Sequence, residues 1–352
     1  MEKIPRRTFL SSASACGLGM YMLPAGLFLS TGSVAAGKRI GIIGLDTSQA
    51  TMILSHINHI TGPGYDVVQP ALTDEFDGFK VVAAYPYGSR NIASSVKQIP
   101  FYIEKMKENN IAIASSIEEL LQQTDMVMLM TFDGHPRTQQ ALQVMRAGKP
   151  LFINKPFAAS LKEVARIIEY AKKSKVPVFS SSPTRYLMGA QAARKGEIGE
   201  VTGADCYSAA PLEPTHPDFF WYGIHGIEIL FTILGKDCRT VQRTGNAGTD
   251  LVTGIWDNGV IGSYRGIRKG FATHSGTAFG TKAIIPAGAF NEVGHRPLVA
   301  EMLKFFQSGV SPVSLEETLA IHVFMEAADE SKRNGGKPVQ TDAVLQKALD
   351  QL

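Results

Sequence analysis

The stretch ALQVMRAGKPLFINKPFAASL, residues 141–161, places a helix, a short apolar strand at 150–154 and the start of a second helix in immediate succession. Apolar strands that alternate with helices at this spacing form a parallel sheet that is covered on both faces. Residues 37–183 are therefore predicted to form a doubly wound α/β domain. Its other strands are predicted at 38–44, 80–85, 111–114, 125–130 and 176–181, and its helices at 48–60, 102–109, 116–123, 137–147 and 161–173.

From about residue 200 the pattern changes to short strand-like runs that are separated by tight turns. An Asp-Asn-Gly triplet at 257–259 marks one hairpin. We expect a second, α+β domain at 184–340, built on a large and mainly antiparallel sheet, and a C-terminal helix at 341–352. Helical segments are predicted within the second domain at 223–234, 296–308 and 315–332.

Composition excludes some functions. The 352 residues carry a formal net charge of +3, and no basic stripe is interleaved with aromatic residues, so nucleic acid is not expected as a partner. His56 and His59 form an HxxH pair without a third ligand, so no metal site is predicted. Cys206 and Cys238 lack CxxC spacing and are expected to be buried thiols rather than a disulfide.

The N-terminus has a different character from the rest of the chain. Arg6 and Arg7 begin an RRTFL motif with the form of a twin-arginine export signal, and an uncharged stretch ending in small residues follows. Residues 1–36 are predicted to be a cleaved signal peptide, and the mature protein to be periplasmic or otherwise exported. An uncleaved anchor is the alternative, although Pro24 and several glycines make a poor membrane helix.

Four stretches together resemble the glucose-fructose oxidoreductase and inositol dehydrogenase family (Gfo/Idh/MocA): KRIGIIG, SIEELLQQTDMVMLM, the opening stretch, and GIHGIEILFTILG. The resemblance covers nearly all of the chain after residue 36. It implies an N-terminal Rossmann-type dinucleotide-binding domain and a C-terminal domain for substrate binding and oligomerisation. It also implies oxidation or reduction at a hydroxyl carbon of a sugar or cyclitol, and a homodimer or homotetramer.

The resemblance also assigns catalytic residues. Lys155, in an Asn-Lys-Pro triplet, matches the family lysine that reaches the reacting hydroxyl, although Asn154 replaces the usual Glu. His225 occupies the position of the histidine that takes the hydroxyl proton. Trp221 stands where many relatives have an Asp. Glu228, three residues after His225, is a candidate substitute acid or base.

Substrate-binding residues are predicted around PLEPTHPDFFWY, residues 211–222, because aromatic rings and carboxylates are common where sugars bind. Arg185 and Tyr186 follow the last parallel strand, where the family places a cleft arginine. The predicted substrate-binding set is Arg185, Tyr186, His216, Asp218, Trp221, Tyr222 and His225.

The glycine loop is altered. In GIIGLDTSQA, residues 41–50, the positions of the expected GxGxxG motif hold Gly44, Asp46 and Gln49. A carboxylate about 5 Å from a phosphate, at an effective dielectric near 20, costs roughly 3 kcal/mol. Asp46 must therefore turn away, or the pyrophosphate must lie elsewhere. Thr47 and Ser48 add hydroxyl groups at the helix N-terminus, which still favours an anion.

The region after the second strand slightly favours NADP over NAD. It lacks an acidic residue for a free ribose hydroxyl, and Ser89 and Arg90 suit a 2'-phosphate. The complete predicted cofactor-binding set is Gly44, Asp46, Thr47, Ser48, Ser89, Arg90, Thr131, Phe132, His135, Asn154 and Lys155.

The leading hypothesis is an NAD(P)-dependent oxidoreductase that acts on a carbohydrate and recycles a tightly bound cofactor. Two alternatives remain open: a non-redox glycoside lyase or hydrolase that uses His225 and Glu228, and a carbohydrate-binding protein without turnover. Retention of Lys155 and His225 argues against the binding-only alternative, and the loss of two glycines and of the Asp at position 221 argues against the oxidoreductase.

Overall fold

The computed structural model describes residues 38–62, 72 and 76–352, so the predicted signal at 1–36 lies outside the described residues. The N-terminal sheet has six strands in the order β3-β2-β1-β4-β5-β6, and every neighbouring pair is parallel. This confirms the predicted doubly wound domain. The strands are β1 (Arg39–Ile43), β2 (Lys80–Tyr85), β3 (Ala112–Ile113), β4 (Met126–Leu129), β5 (Leu151–Ile153) and β6 (Val178–Phe179).

Helices cover both faces of this sheet, which explains why β4 and β5 are apolar at every position and wholly buried. One predicted helix differs in length: α2 runs through Pro100 and begins well before residue 102. The helices are α1 (Gln49–Asn58), α2 (Ala93–Glu108), α3 (Ile117–Gln123), α4 (Arg137–Arg146) and α5 (Leu161–Ser174).

The C-terminal sheet has seven strands in the order β12-β11-β7-β10-β9-β8-β13, with β10 and β7 parallel and the other neighbours antiparallel. The predicted hairpin joins β9 to β10, where Gly259 has a φ of 82°. The strands are β7 (Val201–Ala209), β8 (Cys238–Asn246), β9 (Thr249–Trp256), β10 (Ile261–Ile267), β11 (Ser275–Gly280), β12 (Ile284–Pro286) and β13 (Val339–Gln340).

Helices of the second half connect the two sheets. α7 is buried along nearly its whole length and packs on β7 and β10. α9 packs against α1 and shares an apolar core with β1, so it belongs spatially to the N-terminal sheet. The helices are α6 (Met188–Arg194), α7 (Ile224–Leu234), α8 (Phe290–Val293), α9 (Arg296–Ser308), α10 (Leu315–Arg333) and α11 (Thr341–Leu349).

Two further features can be stated. Cys206 and Cys238 are buried thiols, as predicted. Within the part of the chain that the structure describes, each helix is too short or too polar to cross a membrane.

The chain turns sharply after β1, where Gly44 has a φ of 97°. A Cβ on Gly44 would lie 2.3 Å from the Thr131 backbone nitrogen, so the loops after β1 and β4 are in close contact. Any side chain at Gly44 would therefore push apart the two central strands of the sheet.

We expect Gly44→Ala to lower the free energy of unfolding more than Gly148→Ala. Gly148 also has a positive φ, 69°, but nothing lies within 4 Å of its added Cβ, so only the left-handed strain of about 1–2 kcal/mol applies. At Gly44 the backbone clash adds about 1–3 kcal/mol. Chemical denaturation of both variants measures the difference, and equal losses would contradict the close approach.

Candidate active site

A cleft of about 260 Å³ lies between the two domains, at the carboxyl ends of β1, β4 and β5, where doubly wound sheets bind ligands. The N-terminal wall includes residues 46–49, Phe132 and Lys155. The opposite wall is formed mainly by aromatic and imidazole rings: Tyr222, His225, His274, Phe290 and His295. A larger cavity of about 400 Å³ lies in the second domain around Arg243, but the predicted catalytic pair lines the smaller one.

Lys155 is buried in this cleft, with 4% of its surface exposed. Its Nζ lies 4.9 Å from the centroid of the Tyr222 ring. Burial, helped by the nearby positive charge of Arg137, lowers the pKa of the Lys155 ammonium to about 7. The side chain can therefore exchange a proton at neutral pH, as the sequence predicts for a catalytic lysine.

Arg137, at the start of α4, holds the loop that carries Lys155. Its Nε donates to the Thr131 carbonyl at 2.8 Å and its Nη1 donates to the Asn154 carbonyl at 2.8 Å. The guanidinium is fully buried, which lowers its pKa to about 10. It therefore stays charged and joins the loops after β4 and β5. Arg137 was not among the predicted site residues, because its partners are backbone carbonyls, which no sequence motif marks.

Asn154 carries no charge, and its side chain links the loop after β5 to the N-terminus of α1. Its Oδ1 accepts from the Lys155 backbone N-H at 2.9 Å, and its Nδ2 donates to Gln49 Oε1 at 2.7 Å. Gln49 Nε2 in turn lies 3.4 Å from His295 Nε2. Gln49 is one of the residues that replace the expected glycines, and the structure gives it this bridging contact.

His225 is held in one tautomer by a chain of hydroxyl groups. Thr184 Oγ1 donates its proton to the His225 carbonyl at 2.8 Å, so it can only accept from Ser182 Oγ at 2.7 Å. Ser182 Oγ must then accept from His225 Nδ1, also at 2.7 Å, because each hydroxyl has one proton. The lone pair of the ring therefore lies on Nε2.

Burial and the positive charge of Lys155 hold the pKa of His225 well below its usual value. The imidazole is therefore neutral at pH 7, and its Nε2 can accept a proton. Ser182, which fixes this tautomer, was not among the predicted site residues.

Glu228 and Arg185 were predicted to be catalytic and substrate-binding, respectively, but the structure places both in a buried ion pair. Arg185 Nε lies 2.8 Å from Glu228 Oε1, and Arg185 Nη1 lies 2.8 Å from Glu317 Oε1. Glu228 also accepts from Ser181 Oγ and the Ser182 backbone N-H. Neither side chain lines the cleft. A buried carboxylate requires ionic or hydrogen-bonding partners. With these partners, Glu228 stabilises the segment that binds His225.

Two other predicted substrate-binding residues also lie away from the cleft lining. Asp218 Oδ2 pairs with Arg243 Nη2 at 2.7 Å and with Lys332 Nζ at 2.6 Å, because buried Arg243 needs carboxylate partners. Tyr186 packs against the apolar core of the N-terminal domain.

Trp221 and His216 form an aromatic group with the loop after β4. The rings of Phe132 and Trp221 are 4.2 Å apart, and those of His216 and Trp221 are 4.9 Å apart. Of these, Phe132 lines the cleft. The buried Trp221 therefore supports the cleft wall from behind instead of offering a face for a sugar.

Asp133, His135 and His216 bring three potential metal-ligand atoms within 4.8 Å of one another. These atoms are already engaged: Asp133 Oδ1 lies 2.8 Å from His135 Nδ1, and His216 Nε2 accepts from the Gly134 backbone N-H at 3.1 Å. His135 and His216 therefore stabilise the conformation of the loop after β4.

The carboxylate of the altered glycine loop is bound by α2 and by the loop after β4. Asp46 is fully buried and accepts from Ser95 Oγ at 2.8 Å and from the Phe132 backbone N-H at 2.9 Å. Burial raises the pKa of Asp46 despite these two donors. These contacts favour the first of the two outcomes that the sequence allowed, and Asp46 remains part of the cleft lining. Thr47 and Ser48 then lead directly into α1 and line the cleft.

Residues 38–182 match the model of a family described as an oxidoreductase family with an NAD-binding Rossmann fold (Gfo/Idh/MocA). The matched residues form the six-stranded N-terminal domain described above. The uncharacterized oxidoreductase YhhX of Escherichia coli is 22% identical over 178 residues, which is 45% of this chain and 49% of that protein. The match thus spans about half the length of that relative.

Solved structures extend the similarity over both domains. The myo-inositol 2-dehydrogenase of Lactobacillus plantarum is 16% identical, covers 86% of this chain and 98% of its own, and has a TM-score of 0.67. The scyllo-inositol dehydrogenase of Lactobacillus casei with bound NAD(H) and scyllo-inositol has the same identity and coverage and a TM-score of 0.64. At these identities the likeness establishes a shared fold. The family match supports an NAD-binding oxidoreductase.

In the N-terminal domain, the segment after β2 contains the residues predicted to meet a 2'-phosphate. Ser89 is buried, and its Oγ accepts from the Asn91 backbone N-H at 3.2 Å. Arg90 is exposed. Of these two side chains, that of Arg90 is the one accessible to solvent.

Proposed function

We propose that this protein is an NAD(P)-dependent oxidoreductase that acts on a hydroxyl-bearing carbon of a sugar, glycoside or cyclitol. One observation carries the proposal: at the ligand-binding edge of an NAD-binding domain, the same cleft contains Lys155, with a pKa of about 7, and the neutral His225. Two groups that can take a proton at neutral pH suit oxidation of an alcohol, which releases one proton.

The residues of the altered loop fit a dinucleotide. Gly44 permits the tight turn, Asp46 directs its carboxylate to Ser95 and Phe132, and Thr47 and Ser48 stand at the N-terminus of α1. A bound nicotinamide would supply the hydride acceptor or donor of the reaction. We also assign the loop with Thr131 and His135, together with Asn154, to the cofactor side of the cleft.

Lys155 and His225 would share the proton in this reaction. Lys155 comes from the loop after β5, and His225 from the first turn of α7. Arg137 and Ser182 are positioning residues, because the first fixes the Lys155 loop and the second fixes the His225 tautomer. The protein thus contributes a preorganised pair of bases from both domains.

The pH dependence follows from the pKa of Lys155. Oxidation needs the neutral amine, so kcat/KM for oxidation should rise with pH and level off above about 7. Reduction needs the ammonium, so its kcat/KM should fall through the same range. Initial rates in both directions measure this. Profiles without an inflection near neutrality would contradict the role of Lys155, and Lys155→Arg should remove the inflection because Arg stays charged.

We propose NADP as the preferred cofactor, with Arg90 as the contact for the 2'-phosphate. A charge-assisted hydrogen bond contributes about 1.5–3 kcal/mol, so Arg90→Ala should weaken NADP binding roughly tenfold or more and leave NAD binding nearly unchanged. Titration calorimetry with both cofactors measures this. Equal losses for both, or no loss for either, would remove Arg90 from the cofactor site.

The contacts of Glu228 weigh against the non-redox alternative. A lyase or hydrolase that uses Glu228 as its acid needs a free carboxyl in the cleft. Both oxygens of Glu228 are instead bonded to Arg185, Ser181 and Ser182. A carbohydrate-binding protein without turnover does not require a lysine whose pKa is near neutrality.

We further propose export by the twin-arginine route, on the strength of the motif within residues 1–36. That route carries folded proteins, so the cofactor would travel inside the protein, be released slowly and be recycled during turnover. Proteolytic mapping of the N-terminus of protein recovered from the periplasm tests this proposal.

We also propose a homo-oligomer formed through the C-terminal sheet. Ile255 and Ile261 face each other across β9 and β10 and are 45% and 58% exposed. They alternate with the residues that face α7, so they lie on the opposite face of the sheet. Light scattering should give the mass of a dimer or tetramer.

Turnover tests the proposed function directly. The protein is incubated with NAD or NADP and a panel of sugars, glycosides and cyclitols, and the absorbance of reduced nicotinamide is followed. At least one substrate should be oxidised by the wild type and not by Lys155→Met. Product formed through bond cleavage by protein that is shown by mass spectrometry to hold no dinucleotide would instead support the lyase or hydrolase.

A further inference from the structure

The backbone immediately after Lys155 is bound by a helix of the second domain. Pro156 has no backbone N-H, so the N-H of Phe157 is the first main-chain donor that follows Lys155. It donates to His322 Nε2 on α10 at 3.1 Å. Phe157 and His322 are 0% and 2% exposed, and a buried backbone N-H requires an acceptor. His322 therefore fixes the loop after β5 on the C-terminal side of Lys155.

His322 can accept this bond because its proton lies on the other ring nitrogen. His322 Nδ1 lies 2.7 Å from the Thr318 carbonyl oxygen, which can only accept, so Nδ1 carries the proton. The lone pair is then on Nε2, which is the atom that the Phe157 N-H meets. Burial lowers the pKa of His322 to about 4, so the imidazole is neutral at pH 7 and both of its nitrogens have partners.

The loop that carries Lys155 is thus bound on both sides of that residue. On the N-terminal side, Arg137 donates to the Asn154 carbonyl at 2.8 Å. On the C-terminal side, His322 accepts from the Phe157 N-H. The first contact comes from α4 and the second from α10. A loop that is bound at one point can still rotate about it, whereas two bonds from different helices fix its backbone and hence the start of the Lys155 side chain.

The same helix also contacts the segment that carries His225. Glu317 Oε1, in the first turn of α10, lies 2.8 Å from Arg185 Nη1, and Arg185 Nε lies 2.8 Å from Glu228 Oε1 on α7. Glu317 and His322 are five residues apart, which places them about 7.5 Å apart along the helix axis and about 140° apart around it. α10 therefore binds the supports of both bases, each from a different face.

We propose that His322 is a positioning residue, through which α10 fixes the Lys155 amine in the cleft that also contains His225. This inference rests on the proposed function and adds to it a residue that is not part of the cleft lining. His322 acts through the Phe157 backbone and not on the reacting atoms. When this acceptor is lost, the loop relaxes and the Lys155 amine moves from its buried position toward water.

His322→Leu should lower kcat by about tenfold to a hundredfold, because a displacement of about 1 Å in a positioned group can cost about 10²-fold. Leucine has nearly the volume of histidine and removes both ring nitrogens. KM should change little, since the loss lies in the transition state. The pH at which kcat/KM for oxidation levels off should rise above about 7, because a more hydrated Lys155 ammonium keeps its proton to higher pH.

His322→Gln separates the role of the acceptor from that of the side-chain volume. The amide oxygen of glutamine can replace Nε2 as the acceptor of the Phe157 N-H, so kcat should stay within about threefold of wild type. The inflection of the pH profile should stay near neutrality. Steady-state kinetics on the full chain measure both quantities. Leu and Gln variants that lose kcat equally, or a Leu variant with the wild-type kcat and inflection, would overturn the proposal.

Ser331→Ala is the matched control, because it removes another buried acceptor from the same helix. Ser331 is fully buried, and its Oγ accepts from the Arg243 backbone N-H at 2.9 Å. It lies about 13.5 Å along α10 from His322, away from the Lys155 loop. Both Ser331→Ala and His322→Leu should unfold at lower denaturant concentrations than wild type, but Ser331→Ala should keep the wild-type kcat and pH profile. If it shifts both, the stability of α10 and not the position of Lys155 sets the rate, and the proposal fails.

The state of Lys155 can also be measured without a substrate. Each protein is reacted briefly with acetic anhydride over a range of pH, and acetylation of Lys155 is quantified by mass spectrometry. Wild type and His322→Gln should reach half-maximal reactivity at a pH of about 7, and His322→Leu at a higher pH. Identical profiles in all three proteins would refute the role of His322. If the wild type oxidises no alcohol with NAD or NADP, the proposed function fails, and these profiles still decide whether His322 positions Lys155.

Discussion

Replacing Lys155 by methionine is expected to lower kcat by about 10²-fold to 10⁴-fold, the usual contribution of a positioned acid or base. The side chain is buried and its ammonium is desolvated, which is why its pKa falls to about 7. Methionine keeps most of the volume and removes the proton-exchanging group. Steady-state kinetics on the best substrate measure the effect, and KM should change little because the loss lies in the transition state.

Two controls show whether a loss of kcat comes from the missing amine of Lys155. Lys173→Met removes an exposed lysine and should leave kcat unchanged. The Lys155→Met protein should bind its cofactor and unfold at wild-type denaturant concentrations or above, because a buried positive charge has been removed. A Lys155→Met enzyme within threefold of wild-type kcat would refute its place in the proton transfer.

Replacing Arg185 by methionine is expected to lower the free energy of unfolding by about 3–5 kcal/mol, since it leaves buried carboxylates without their cation. Arg185 is 3% exposed and pairs with Glu228 and Glu317. These pairings hold the pKa of Glu317 below its usual value and raise that of the guanidinium. Equilibrium denaturation at neutral pH measures the loss.

The matched control is an exposed ion pair. Arg39 Nη2 lies 2.8 Å from Asp125 Oδ1, but the Arg39 side chain is 55% exposed. Arg39→Met should therefore change the free energy of unfolding by less than about 1 kcal/mol. If both variants lose the same small amount, the Arg185 cluster is not the structural centre that its burial indicates.

The sequence was sufficient for the fold because the evidence for a parallel sheet is local. Each strand of the first domain is a short apolar run followed by a helix, and β2 was placed at its observed bounds. Spacing and composition could not show that α9, far along the chain, covers the same sheet as α1. That packing depends on contacts between residues that are distant in sequence.

The site was predictable only where motifs mark it. Lys155 and His225 share a cleft as expected, because each lies in a recognisable motif. His274 was missed, since the segment before β11 has no pattern that predicts a ligand contact. Glu228 was predicted to be catalytic from its spacing to His225, and its pairing with Arg185 could not be seen from the helix alone.

The contacts of the altered glycine loop also could not be predicted from the sequence. The sequence required Asp46 to turn away from a phosphate if the loop was to bind one, but not where it would turn. Its partners are 49 and 86 residues away, on α2 and after β4. The structure thus gives the Asp46 carboxylate two hydrogen-bond donors, while the second glycine of the motif remains absent.

Cofactor occupancy tests the central claim most directly. The purified full chain is equilibrated with excess NAD and NADP, separated from free ligand by gel filtration and denatured, and the released dinucleotide is quantified by mass spectrometry. We predict dinucleotide in stoichiometric ratio to the chain, either carried through purification or taken up from the mixture. Protein that releases none, although its thermal unfolding shows it to be folded, would contradict a nicotinamide-dependent oxidoreductase.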